Sequence, residues 1–196
     1  MSALTPGDPS LRDIGLVVIG GSAGAVEVLQ QVMSRLRSSL RPALAVVLHL
    51  PPHAKGVLHE ILARPTGPPM KIAEDKEPIA SGTAYFAAPG YHLLVETDRT
   101  FALSLDEAVH FSRPSIDVLF ETAAEAYGPR AMGIILSGAN PDGAAGLSAI
   151  AEAGGVAVVQ DPATADVPAM PGAALKNCPT CYRLDVPAIA ALLASL

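Results

Sequence analysis

An apolar run, Leu16 to Ile19, passes through Gly20-Gly21-Ser22-Ala23-Gly24-Ala25 into an amphipathic stretch from Val26 to Leu36. Strand, small-residue turn, helix: this order constrains the fold more than any other feature of the chain. Val26, Leu29, Val32, Met33 and Leu36 fall at helical spacing. The rhythm then recurs. Ala43 to His49 reads as a strand and Ala54 to Ala63 as a helix. After Pro114 come a helix over 115–127, a strand from Ala131 to Leu136 and a helix from Ala144 to Ala153. Val156 to Gln160 is a further strand, followed by a short strand near Tyr182 and a last helix from Pro187. Long apolar strands alternating with helices predict a doubly wound α/β fold, its mostly parallel sheet covered by helices on both faces.

Residues 70–106 break the rhythm. Met70 to Ala73, Thr83 to Ala88, His92 to Glu96 and Phe101 to Leu105 are short strand-like pieces, with Asp98-Arg99 as a hairpin turn between the last two. This middle segment is expected to be an antiparallel β insertion. Residues 1–12 read as a flexible arm and 13–196 as one domain.

Composition narrows the class. Half of the 196 residues are hydrophobic, enough for one well-buried core. The N-terminus lacks a basic region followed by an apolar one, and no apolar run reaches membrane-spanning length, so neither secretion nor membrane insertion is expected. A net charge of −6, without basic clusters interleaved with aromatics, argues against nucleic acid. Cys178 and Cys181 make no disulfide framework, and a lone pair without further nearby ligands makes a poor zinc site. The chain reads as cytoplasmic.

In a doubly wound sheet the functional groups gather beyond the carboxyl ends of the strands. The first strand end carries Ser22, the second His49, and the strand near Ile135 runs into Ser137-Gly138-Ala139-Asn140-Pro141-Asp142-Gly143. Serine, histidine and aspartate are the types that nucleophilic acyl transfer needs. The base takes the proton from a weak nucleophile, and the carboxylate orients and stabilises the imidazolium. Each also has a bland role open to it: structural turn, solvated strand end, helix cap. Dinucleotide binding fits poorly, because the glycines miss the G-x-G-x-x-G spacing and His49 stands where an acidic ribose ligand belongs. An α/β-hydrolase has a different triad order and a G-x-S-x-G elbow.

The segments Ile19-Gly20-Gly21-Ser22-Ala23-Gly24, Leu48-His49-Leu50-Pro51, Ala88-Pro89-Gly90-Tyr91-His92-Leu93 and Arg113-Pro114-Ser115-Ile116-Asp117-Val118-Leu119-Phe120 resemble the catalytic domain of the chemotaxis methylesterase CheB family. So do Ile134 to Gly146, Ala153-Gly154-Gly155, Gln160-Asp161-Pro162 and Met170-Pro171. The resemblance implies hydrolysis of glutamate γ-methyl esters on chemoreceptor signalling helices, with deamidation of receptor glutamines. It implies Ser22 as nucleophile, His49 as base and Asp142 as orienting carboxylate, without metal or organic cofactor. Backbone N–H groups of Ala23 and Ala139 are candidate oxyanion donors. Arg113 is either a substrate contact or a solvated loop arginine. Ala23, Ala25, Leu48 and Ala139-Asn140-Pro141 depart from the family's usual residues, and the family's N-terminal phosphoacceptor domain is not expected on this chain. The altered rim leaves a rival reading, a non-catalytic adaptor that binds receptor helices or a signalling partner.

Overall fold

The computed structural model describes residues 4–49 and 57–196. Seven parallel strands form the main sheet: β1 (Leu16–Gly21), β2 (Ala43–Leu48), β3 (Met70–Ile72), β4 (Ala84–Phe86), β7 (Ala131–Ile135), β8 (Val156–Gln160) and β9 (Tyr182–Leu184). Their order is β3-β4-β2-β1-β7-β8-β9. The antiparallel hairpin β5 (His92–Val95) and β6 (Phe101–Ser104) stands apart from it.

Every residue of β1, β2, β7 and β8 is buried, as expected for parallel strands covered on both faces. Alternate side chains serve two cores. Val17, Ile19, Leu44 and Val46 face α1 (Ala25–Arg35) and α6 (Val186–Ala194). Leu16, Val18, Ala45 and Val47 face α3 (Ile116–Tyr127), α4 (Ala144–Glu152) and α5 (Ala169–Asn177), together with the hairpin. The hairpin is pinned to α3 by Val95 N donating to Thr122 Oγ1 at 3.1 Å.

The sequence reading of residues 70–106 needs one correction. β3 and β4 are parallel edge strands of the main sheet, β4 pairing with β2 through Leu44↔Ala84 and Val46↔Phe86. Among the described strands, β5 and β6 alone pair antiparallel. Three residues carry too few alternations to declare a direction; β4 takes its direction from pairing with β2, and β3 from pairing with β4. α5 was not anticipated, because Pro171 sits within it. Proline is tolerated in the first turn, where N–H groups lack helical partners anyway. Of the helix expected at 54–63, α2 (Leu58–Leu62) is seen, and residues 50–56 lie outside the described part. The expected arm is anchored where it is described: Leu4 and Leu11 are buried in the α1–α6 core. Cys178 and Cys181 are bonded to each other, a local bridge at the end of α5 rather than a framework.

The strand order reverses at β1, whose neighbours are β2 on one side and β7 on the other. Crevices form at such switch points, outside the carboxyl ends of the strands. The register aligns Gly21 with Leu48 and Gly20 with Ile135, so the residues that follow these three strands emerge together.

Candidate active site

Ser22 follows β1 directly, half-buried, two residues before the Gly24 cap of α1. Its N–H donates to Ser137 O at 2.9 Å and its carbonyl accepts from Ala25 N at 3.0 Å. Ser137 is buried and clamps the turn from β7, its Oγ donating to Ala23 O at 2.7 Å and accepting from Val167 N at 3.0 Å. Ser137 N in turn donates to Gln160 Oε1 at 2.9 Å. A backbone N–H can only donate, so the Gln160 amide must present its oxygen. Gly24 has φ 76°, and a Cβ there would lie 2.7 Å from Asp166 Cβ and 2.8 Å from Ser137 Oγ. Only glycine fits. Ala23 and Ala139 are exposed, and among the described residues neither backbone N–H donates a hydrogen bond.

Asp142 is fully buried, yet its carboxylate is saturated. Oδ1 accepts from Ser115 Oγ at 2.8 Å and Asp117 N at 3.0 Å; Oδ2 accepts from Ile116 N at 2.7 Å. The charge therefore sits on the N-terminus of α3, where unpaired N–H groups and the helix dipole favour it. The first four donors of that end are all used: Ser115 N bonds to His92 Nδ1 at 3.2 Å, Ile116 and Asp117 to Asp142, and Val118 N to Ser115 Oγ at 3.5 Å. Burial pushes the Asp142 carboxyl up. Bonds from His49, the Asp117 and Ile116 backbone and Ser115 outweigh it, and the net shift is downward. Gly20 sets the distance between β1 and this helix end, since a Cβ there would fall 2.3 Å from Ile116 Cγ2.

His49 N donates to Gly21 O at 3.0 Å, which holds the histidine beside the Ser22 turn. The ring turns Nε2 to Asp142 Oδ2 at 2.8 Å. That contact is short but poorly aligned, so Nε2 makes no hydrogen bond of good geometry. Nδ1 faces Asn140 Nδ2 at 3.5 Å. The Ser22 hydroxyl is not hydrogen-bonded to the ring, whose polar neighbours among the described residues are Asp142 and Asn140. Contacts between a candidate nucleophile and its candidate base are often loose before substrate binds.

A second carboxylate lies behind the first. Asp117, in the first turn of α3, accepts from Gly146 N in the first turn of α4 at 2.7 Å. Asp142, just before α4, sits on the end of α3. The two helices thus exchange carboxylates, each acid serving the other's N-terminus. Burial, and then the neighbouring Asp142 charge, push the Asp117 carboxyl up despite the Gly146 bond. His110 Nε2 stands 3.5 Å from its Oδ2.

Arg113, considered for a substrate contact, spends Nη1 on its own chain, donating to Leu105 O at 2.9 Å and Asp106 O at 3.0 Å. Its Nε is buried without a partner among the described residues. His92 is a structural residue between Ser115 N and Glu107 O. Asp161 caps a short 3-10 turn through Ala163 N.

The strand-end cluster lies wholly within residues 17–193, the stretch matched by the family model described as CheB methylesterase. The chain belongs to the CheB methylesterase family. A Leptospira interrogans relative, named as a protein-glutamate methylesterase/protein-glutamine glutaminase, is 46% identical over 176 residues, covering 90% of this chain and 91% of its own. A similarly named protein of Methanospirillum hungatei is 37% identical over 163 residues, which is 83% of this chain but 47% of the relative. The chain thus spans nearly all of the first and about half of the second. The crystal structure of the Thermotoga maritima CheB methylesterase catalytic domain superposes with a TM-score of 0.87 at 28% identity, covering 92% of this chain and 97% of that one.

Within this CheB methylesterase fold the three strand-end candidates emerge from neighbouring strands, and sequence reasoning missed the residues that hold them. Ser115, Asp117, Ser137 and Gln160 all act on residues at least 20 positions away or on another helix's end. Ser115 did carry a local signal, a serine immediately before a helix, and the capping rule names it.

Proposed function

We propose that the protein hydrolyses γ-methyl esters of glutamate side chains on the signalling helices of methyl-accepting chemoreceptors. The observation that carries the reading is the buried, ionised Asp142 on the end of α3, with His49 Nε2 against it, beside the strand end that bears Ser22. In this reading Asp142 holds the imidazole with Nε2 inward, leaving Nδ1 to accept the Ser22 proton. Ser22 Oγ attacks the ester carbonyl, and the backbone N–H groups of Ala23 and Ala139 receive the developing oxyanion. The tetrahedral intermediate collapses as His49 returns the proton to the methoxy oxygen, and methanol leaves. Water, deprotonated by His49, then attacks the acyl-serine; the proton passes back to Ser22 and the glutamate carboxyl is released. Deamidation of a receptor glutamine follows the same course with ammonia as the leaving group.

The relatives named for both activities support this assignment. A cytoplasmic site of action follows from the substrate; among the described residues no helix is long and apolar enough to cross a membrane. The test is methanol release from a methylated receptor signalling fragment, wild type against Ser22→Ala. Release by the wild type and none by the variant supports the reading; no release by the wild type, and no labelling by an active-site serine probe, would leave the adaptor.

A further inference from the structure

Between β6 and α3 the chain makes a second, much smaller hairpin. Val109 and Ser112 pair across it, Ser112 N donating to Val109 O at 2.8 Å and Val109 N to Ser112 O at 3.2 Å. The tip residues, His110 and Phe111, have φ of 48° and 60°. A two-residue turn with both central φ positive favours Asn-Gly, because left-handed backbone crowds larger side chains. Phe111 is also 103% exposed, more than any other large apolar side chain among the described residues. The aromatic is therefore unfavourable to folding twice over: it strains the turn, and it buries nothing in return. A local rule broken without a folding gain points to function.

Its position says which function. Ser112, the next residue, accepts from Asn140 Nδ2 at 3.4 Å, and that same nitrogen stands 3.5 Å from His49 Nδ1. Arg113 braces the segment from the other side through the carbonyls of Leu105 and Asp106, and Leu105 is itself 64% exposed. A recess of about 280 Å³ opens at the foot of the hairpin, lined by His110, Pro141, Ala144 and Lys176 among others. Pro141 of the recess lies in sequence between Asn140 and Asp142, the two residues that face the His49 ring.

We infer that Phe111 is the docking knob for the substrate helix: an apolar strip beside the methylated glutamate packs on Phe111 and fixes the ester over Ser22. The inference rests on the esterase reading above. An apolar contact is the kind required, because a net charge of −6 gives no general attraction to a glutamate-rich helix. Exposed aromatic anchors are also the side chains that dominate interface energies.

The test is Phe111→Gly, with Phe111→Ser as a second variant. Glycine suits the turn, so the folded state is kept or gains stability, which no structural role for the ring predicts. The ratio of kcat/KM for a methylated helical receptor fragment to that for a short methylated peptide is expected to fall about tenfold or more, through KM. Independently of turnover, the unmethylated fragment is titrated into Ser22→Ala with and without Phe111→Gly. Weaker binding in the double variant supports the docking role even if the wild type releases no methanol, in which case only the esterase reading fails. An unchanged ratio, equal binding by both proteins, or no binding by either overturns it.

Discussion

Replacing Asp142 by asparagine tests the buried carboxylate most directly, because its four neighbours are all donors. His49 Nε2 and Ile116 N face Oδ2, while Ser115 Oγ and Asp117 N face Oδ1. An amide has one oxygen, so its NH2 group must replace one of these acceptors. Turned toward His49 and Ile116, it meets a backbone N–H that cannot accept. Turned the other way, it meets Ser115, whose hydroxyl can swing round and accept, and only Asp117 N–H is orphaned. The second orientation is therefore favoured, and it keeps the oxygen on His49. One buried unsatisfied N–H costs about 1–3 kcal/mol. The Ile116 N–H bond and the His49 contact also lose their charge assistance, in keeping with the downward shift of the Asp142 carboxyl. A net loss of about 2–4 kcal/mol follows. For a chain of this size that is a fall in Tm of roughly 5–15 °C. Turnover should drop by roughly 10²–10⁴, since a neutral amide stabilises the imidazolium poorly. Urea unfolding at pH 7 and methanol release read the two quantities. Removing Ser115 Oγ in the D142N background should cost more than the two single changes together, because the swivelling acceptor is gone. A D142N protein within 1 kcal/mol of wild type and within twofold in turnover would refute the account of the site.

Ser22→Ala should abolish turnover while shifting stability by less than about 1 kcal/mol, since the turn is held by backbone and Ser137 rather than by the Ser22 hydroxyl; thermal unfolding and methanol release check it. Gly20→Ala should destabilise by about 1–3 kcal/mol through overpacking on Ile116, and should lower turnover as well, because the pushed residue carries a donor to Asp142; urea unfolding with activity decides. The two acids should respond to pH with opposite sign. Asp142 has a lowered folded-state carboxyl, so its stabilisation is present above the ordinary value of 3.8 and is lost as pH falls through the folded value. Asp117 has a raised one, so its favourable contribution is present below 3.8 and is lost as pH rises through the folded value. Asp117→Asn can keep the Gly146 bond through its amide oxygen, so it should be neutral or stabilising at pH 7 relative to its effect below pH 3.8; a urea series across pH reads the sign.

The parallel sheet was legible because β1, β2, β7 and β8 are long enough for burial on both faces to appear as unbroken apolar runs. β3 and β4, at three residues each, carry no such record. That Ser22, His49 and Asp142 stand at the ends of neighbouring strands was legible because the strands themselves were. What the Asp142 loop does was not. Asp142 lies just before α4 and reads as that helix's cap, yet α4 takes its acid from Asp117, 29 residues before Gly146. No short window of sequence contains that exchange. Arg113 was open to two readings in the sequence, and the carbonyls its Nη1 binds, seven and eight residues earlier, carry no side-chain signal that a sequence reading could have used.

The exchanged carboxylates also determine how much chain must travel if the site is moved to another scaffold. A graft carrying the β7–α4 loop alone would bring Asp142 without Ile116, Asp117 and Ser115, and a solitary buried carboxylate would take up a proton rather than hold a charge. A graft carrying α3 alone would bring Asp117 without Gly146. The smallest transplantable piece is the pair of helices with both lead-in loops, set against a strand with glycine at the place of Gly20. Recombination breakpoints between Ser115 and Gly146 should accordingly keep activity only where both parents carry the same acids at 117 and 142 and the same serine at 115.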